Sequence, residues 1–314
     1  MLDTIEHSLK DNRSTPIAYP VEVSNDIQWR PTEKNWEPNT LGSYRPLNRA
    51  VIYNPDTGEV YHDHASLRYV PTPHDKLHEQ LYDSLKTAGI NPDNAEYKVE
   101  KGTNSLGTKG SRIRISYIFR DHCIAPAVDD YVAFKVDMLS SYDGSWPAQI
   151  IYSGLRLLCT NGMTTADQIY RIRHKHIKAI SFADESDNAA KALENFRSKE
   201  NMFREWTTTP VTYSKTMDIF KRLARVSAPL KKFNKNLGPM ISEKQLEDIN
   251  DRLWRYIDSL GETKWAAYNT LTDWSTHFDV TNGQAFNIRL EREQKVTKIL
   301  RAKEWENLDA RVNA

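Results

Sequence analysis

At 314 residues, with 39% hydrophobic and 10% aromatic side chains, the chain is long enough to bury a sizeable core and too apolar to be a linker or a disordered tail. Its 43 Lys and Arg nearly balance 42 Asp and Glu, leaving a formal charge of +1. That excludes a global pull toward nucleic acid or membrane and requires any basic surface to be local. The two cysteines, Cys123 and Cys159, lie in apolar, strand-like surroundings that suit buried reduced thiols better than a disulfide. No stretch approaches the roughly 20 apolar residues of a membrane span, and "MLDTIEHSLK" lacks the apolar run of a signal peptide. A cytoplasmic protein with no membrane partner is expected.

Residues 1–40 are polar and rich in Pro, Asn and Thr, with Trp29 and Trp36 as isolated anchors, and read as an arm that packs onto something else. From 41 to 165 the signals are mostly strands and turns. In "AVIYNPDTGEVY", Asn54, Pro55, Asp56 and Gly58 separate two apolar runs and predict a hairpin. "TPHDKLHEQLYDSLKTAGI" predicts a helix: Thr72 can cap its start, Leu77, Leu81 and Leu85 share a face, and Gly89 can close it. "DDYVAFKVDMLSSYDGS" and "PAQIIYSGLRLLCTNGM" read as further strands joined by Gly and Asp turns, with a turn at Asp129-Asp130.

The helical region, 166–314, is expected to pack with the preceding sheet as one domain. Leu193, Phe196, Phe203 and Trp206 form one stripe. "SEKQLEDINDRLWRYIDSLG" opens with a capping box, Ser242 and Gln245, and closes at Gly261; "TKWAAYNTLTDWSTHF" continues as another helix. Strands first and helices second predict an α+β fold, with an antiparallel strand-rich N-terminal half and a helical C-terminal half.

"GTNSLGTKGS", residues 102–111, resembles a nucleotide-binding loop. The form G-x-x-x-x-G-K-[ST] needs Lys directly after Gly, whereas Thr108 intervenes between Gly107 and Lys109. A phosphate loop must also open a helix. Here Ile113, Ile115, Tyr117 and Phe119 alternate with Arg112, Arg114 and Ser116, which is the period of a strand. The loop joins two strands, and Lys98, Lys101, Lys109, Arg112 and Arg114 make it basic. Such charge can protect a sheet edge or follow a nucleic-acid backbone.

Two more stretches are basic. "RIRHKHIK" carries Arg171 and Arg173 in a run free of acids between Asp167 and Asp184. "KRLARVSAPLKKFNKNLGPM" carries Lys221, Arg222, Lys231 and Lys232, again without an acid. Tyr117 and Trp146 are candidate stacking faces beside them. Catalytic signals are weak. His62/His64 and His174/His176 lack further ligands for a metal, and no nucleophile or zinc-protease motif is present. No enzyme, cofactor or metal is expected.

At "SSYDGSWPAQIIYSGLRLLCTNGM" the chain resembles the phage/plasmid-like proteins grouped as domain of unknown function 932. The matching positions are Asp143, Gly144, Ser145, Arg156, Cys159 and Asn161. A second match, in "TKWAAYNTLTDWSTHF", involves Trp265, Ala266, Tyr268, Asn269 and His277. The resemblance spans about residues 40–295. It implies a mobile-element origin, a cytoplasmic setting and no established reaction. Beside the basic stretches, it leads to the expectation of a non-enzymatic phage protein that binds or anneals single-stranded DNA in replication or recombination. Phosphate contacts fall to Lys101, Lys109, Arg112, Arg114, Arg171, Arg173, Lys221, Arg222, Lys231 and Lys232. This reading admits a homo-oligomer. The alternative is a phage structural or host-factor interaction protein that uses Trp29, Trp36 or Trp305 as exposed anchors.

Overall fold

The computed structural model describes residues 17–24, 29–31, 36–38, 49–104, 106–157, 162–163, 170–225, 241–278 and 285–308. In chain order the strands are β1 (Glu22–Ser24), β2 (Trp29–Pro31), β3 (Trp36–Pro38), β4 (Arg49–Tyr53), β5 (Val60–Ser66), β6 (Glu96–Thr103), β7 (Lys109–Ala127), β8 (Asp130–Ser141), β9 (Ala148–Arg156), β10 (Gly162–Met163) and β11 (Tyr170–His174). One α-helix, α1 (His74–Thr87), and a 3-10 turn, Pro92–Asn94, fall among them. The others follow: α2 (Ser186–Ser198), α3 (Glu200–Thr208), α4 (Tyr213–Arg225), α5 (Glu243–Leu260), α6 (Lys264–Thr276), α7 (Ala285–Leu300) and α8 (Lys303–Glu306). The fold is α+β, with antiparallel strands in the N-terminal half and helices in the C-terminal half.

Strands form a β1-β4-β5 sheet, a β2-β3 ribbon and a large sheet ordered β10-β9-β8-β7-β6, in which β11 also pairs with β9. Two compact units draw on interleaved segments. Met1–Asp121, Lys135–Tyr152 and Ile169–Glu194 make the first; His122–Phe134, Ser153–Gln168 and Asn195–Ala314 make the second.

In the first unit the β4–β5 turn is built as its residues predict. Asn54 Oδ1 accepts from the Asp56 amide at 2.9 Å, and Gly58 takes φ 74°. Ala50, Ile52, Tyr61, Ala65 and Tyr142 form a buried cluster around this hairpin. Leu77, Leu81 and Leu85 are fully buried on one face of α1, and Gly89, at φ 77°, follows its C-terminus. The start differs from expectation: Pro73 holds the N-cap position, and no side chain caps it. The Thr72 hydroxyl instead accepts from the Ile180 amide at 3.1 Å, a tertiary donor that outcompetes the local ones.

The second unit holds the helical chain from Asn195 on, together with the end of β7, the start of β8 and the end of β9. The Leu193–Trp206 stripe is shared by two helices, α2 and α3, which meet at Lys199. At α5 the Ser242/Gln245 capping box is present, and Gly261 closes the helix at φ 72°. Every residue of α6 from Lys264 to Ser275 is buried, because α3, α5 and α7 pack around it. A helix covered on several sides has no polar stripe to show. Phe203, Trp206, Trp265, Tyr268 and Trp305 form a contiguous aromatic cluster. Trp305, expected as an exposed anchor, is 2% exposed, its large apolar ring being better accommodated against Trp206 and Tyr268.

Candidate nucleic-acid interface

The glycine loop between β6 and β7 is fastened onto β5. The Asn104 amide donates to the carbonyls of Val60 and Tyr61 at 3.0 and 2.8 Å, while its Oδ1 accepts from the Leu106 and Thr108 amides. The Thr108 hydroxyl donates to Val60 O at 2.8 Å. Gly110, at φ 77°, lies so close under Tyr19 that a Cβ there would stand 2.2 Å from the ring. The loop's Leu106 and Thr108 amides therefore serve the fold, and Gly110 makes room for a tyrosine.

Four of the expected contact residues are turned inward. Arg114 is 3% exposed, its guanidinium donating to Asp137 at 2.8 Å; Lys135 reaches the same carboxylate at 2.9 Å, and the Ser116 hydroxyl donates to it at 2.5 Å. Burial alone would raise the Asp137 pKa, but the charges of Arg114 and Lys135 outweigh it and hold the carboxyl well below its ordinary range. Arg112 is paired with Asp143 at 2.7 Å and lies 5.7 Å over the Trp146 ring. Trp146 is 8% exposed and Tyr117 1% exposed, the latter stacked on His78 and bonded to it at 2.5 Å. The strand period of β7 is as expected, yet its polar face is buried too: acids on β8 and on the turn after it neutralise the cations. These four side chains cannot meet a phosphate or a base without leaving their partners.

The other expected cations among the described residues are exposed, at two sheet edges and on one helix. Lys101 and Lys109 flank the glycine loop, the Lys101 ammonium 5.3 Å over the Tyr19 ring. On β11, Arg171 and Arg173 are exposed, and Lys175 repeats the spacing one residue past the strand. Between them Ile172 is buried. Arg171 donates to Gln149 Oε1 at 2.9 Å, a buried side chain that sequence reading passed over. Four strand spacings separate β11 from β6, or about 19 Å, so the two edges cannot serve adjacent phosphates. Lys221 and Arg222 are exposed on α4. Lys231 and Lys232 lie outside the described residues.

Two clusters were not foreseen. Arg156 donates to both Asp130 oxygens at 2.6 and 2.7 Å, and Trp265 Nε1 donates to Asp130 Oδ2 at 2.9 Å. Arg156 and Trp265, which carry the family resemblance, thus converge on one buried acid. Asp129 takes φ 59°, so the Asp129-Asp130 turn is present, but its second member is a core counter-ion. Asp273 accepts from Arg252 at 2.6 Å and bonds His277 Nδ1 at 2.8 Å, fixing a half-exposed imidazole. His62/His64 and His174/His176 do not converge: His176 bonds Trp146 O at 3.1 Å, while His174 lies 3.7 Å from Glu185. Cys123 is half-buried, and Cys159 lies outside the described residues. Among the described residues no helix is long and apolar enough to cross a membrane, and no three His, Cys, Asp or Glu could hold one metal ion.

The fold and these surfaces define an α+β protein with a buried, charge-neutralised sheet and basic edges. Residues 62–305 match a family described as Domain of unknown function (DUF932), and the chain belongs to that family. No curated protein and no solved structure matches it.

Proposed function

We propose that the chain is a non-enzymatic nucleic-acid-binding protein that holds single strands along the β11 edge. Binding or annealing DNA in the replication or recombination of a mobile element is the role this fits. One observation carries the reading: Arg171, Arg173 and Lys175 face solvent at every second position, in a run without acids from 168 to 183. Alternate strand residues lie about 6.6 Å apart, which suits successive phosphates of an extended single strand. The buried face of β7 takes no part, and Lys101 and Lys109 form a separate, weaker edge.

Anisotropy of labelled single- and double-stranded oligonucleotides across a salt titration tests this. Three phosphate contacts on a single strand give a log–log salt slope of about −2, at roughly −0.7 for each. Replacing Arg173 and Lys175 together by Ala should flatten it to about −0.7 with the fold intact. Absence of binding at low salt, or an unchanged slope in that variant, would sink the proposal.

A further inference from the structure

The second unit carries a groove of about 680 Å³ between α4 and α8, a volume typical of small-molecule sites. We propose that this groove binds a phosphate ester bearing free hydroxyls, the chemistry of a nucleoside phosphate. The proposal is independent of strand binding at β11, which lies in the other unit.

Sequence spacing builds the groove wall. Ser214, Asp218 and Arg222 follow one another at four-residue intervals along α4, with Lys215 and Ile219 on the adjoining row. Residues so spaced share one side of a helix. Lys303 and Glu304 of α8 line the groove as well. The lining thus holds three cations, Lys215, Arg222 and Lys303, and two carboxylates, Asp218 and Glu304.

The charge balance selects the ligand. A surface for bare polyanions would not place Asp218 between Lys215 and Arg222, because a carboxylate repels phosphate and adds a desolvation cost. Carboxylates accept hydrogen bonds, and sugar hydroxyls donate them. Lys215 and Arg222 are seven residues apart, so their Cα atoms are separated by about 10 Å along the axis. That length suits an extended ester better than a lone tetrahedral anion. Arg222 presents a planar fork for phosphate oxygens, and Lys303 a compact charge from the opposite wall. Thr212 caps α4, accepting from the Lys215 amide at 3.3 Å, which holds the first turn in place at the groove's end.

Two sources share this chemistry, a free nucleotide and the phosphorylated end of a strand. Calorimetric titration of the full chain with AMP, ATP, tripolyphosphate and a 5′-phosphorylated dinucleotide separates them. Saturable binding of AMP or ATP identifies a free nucleotide; binding of the dinucleotide alone identifies a strand end. In either case Arg222→Ala and Lys303→Ala should each weaken the ligand about tenfold or more, the worth of a hydrogen bond to a charged group. Arg173→Ala on β11 should leave it unchanged. All three positions are exposed, and circular dichroism checks that each variant folds. No saturable binding of any ester, unchanged affinity in both groove variants, or tripolyphosphate binding as tightly as ATP overturns the proposal. Oligonucleotide anisotropy with Lys303→Ala keeps the two sites apart: a failed groove leaves that signal intact.

Discussion

Asp137 faces Arg114 at 2.8 Å, Lys135 at 2.9 Å and the Ser116 hydroxyl at 2.5 Å, with 1% of its side chain exposed. One carboxylate thus neutralises two cations on neighbouring strands. Asp137→Ala leaves Arg114 buried without its counter-ion, and breaking a buried pair from one side costs about 3–5 kcal/mol. Urea unfolding should show that loss as a lower midpoint. Replacing all three charges together, Arg114→Met, Lys135→Met and Asp137→Leu, should recover much of it, since apolar side chains need no counter-ion. A cost below about 1 kcal/mol for Asp137→Ala would mean that water reaches Arg114 and that the face is open after all. The same geometry explains why Arg112 and Arg114 look like ligand contacts in the sequence. Alternation shows that they share a face, but the acids that silence them stand 23 and 31 residues further along.

The β6–β7 connection shows how an element's sequence can suggest one chemistry and carry out another. Gly107 and Gly110 have nearly the same φ, 82° and 77°, but a Cβ at Gly107 meets nothing within 4 Å whereas one at Gly110 collides with Tyr19. Alanine at either position costs the backbone about 1–2 kcal/mol for the left-handed conformation. Only Gly110→Ala must also displace Tyr19, and limited proteolysis within residues 17–24 should accelerate for that variant alone. Equal protease sensitivity in the two variants would show that Tyr19 does not hold the segment. Elements marked by local signals were legible beforehand: the Asn54–Gly58 hairpin, α1 by its leucine face, α5 by its capping box, and the strand after the glycine loop. What could not be read were facts of tertiary origin. Thr72 bonds Ile180 instead of its own helix, Trp305 is covered by Trp206 and Tyr268, and Asp130 gathers Arg156 and Trp265 from distant segments. Of the candidate site, the exposed cations of β11 were legible from an acid-free run, whereas Tyr117 and Trp146 were lost to the core.

Stability of the whole chain should fall steadily from neutral to acid pH, and buried histidine explains where the fall begins. His74 is fully buried and stacked 3.8 Å from Tyr142; its Nε2 donates to Gly110 O at 3.1 Å, and Nδ1 has no partner among the described residues. Protonating Nδ1 would place a cation in the core with nothing to receive it. Burial accordingly lowers the pKa from 6.5 to about 3, and it lowers His176 and His62 in the same direction. Because the folded pKa is depressed, the unfolded chain binds the extra proton. The histidine contribution is complete above pH 6.5 and drains away as pH falls toward 3, at up to about 1.4 kcal/mol per pH unit for each group. Asp137 and Asp273, both held below their ordinary range, begin to add their loss only below 3.8. Between pH 6.5 and 5, His74 alone should account for about 1.6 kcal/mol. His74→Phe removes the titrating group while keeping a ring against Tyr142. Whatever packing it forfeits is common to both pH values and cancels in their difference. Urea unfolding at pH 6.5 and 5 should therefore show a gap narrower by about 1.6 kcal/mol in the variant. An unchanged gap would mean that His74 accepts its proton in the folded chain, through an opening that lets water reach Nδ1.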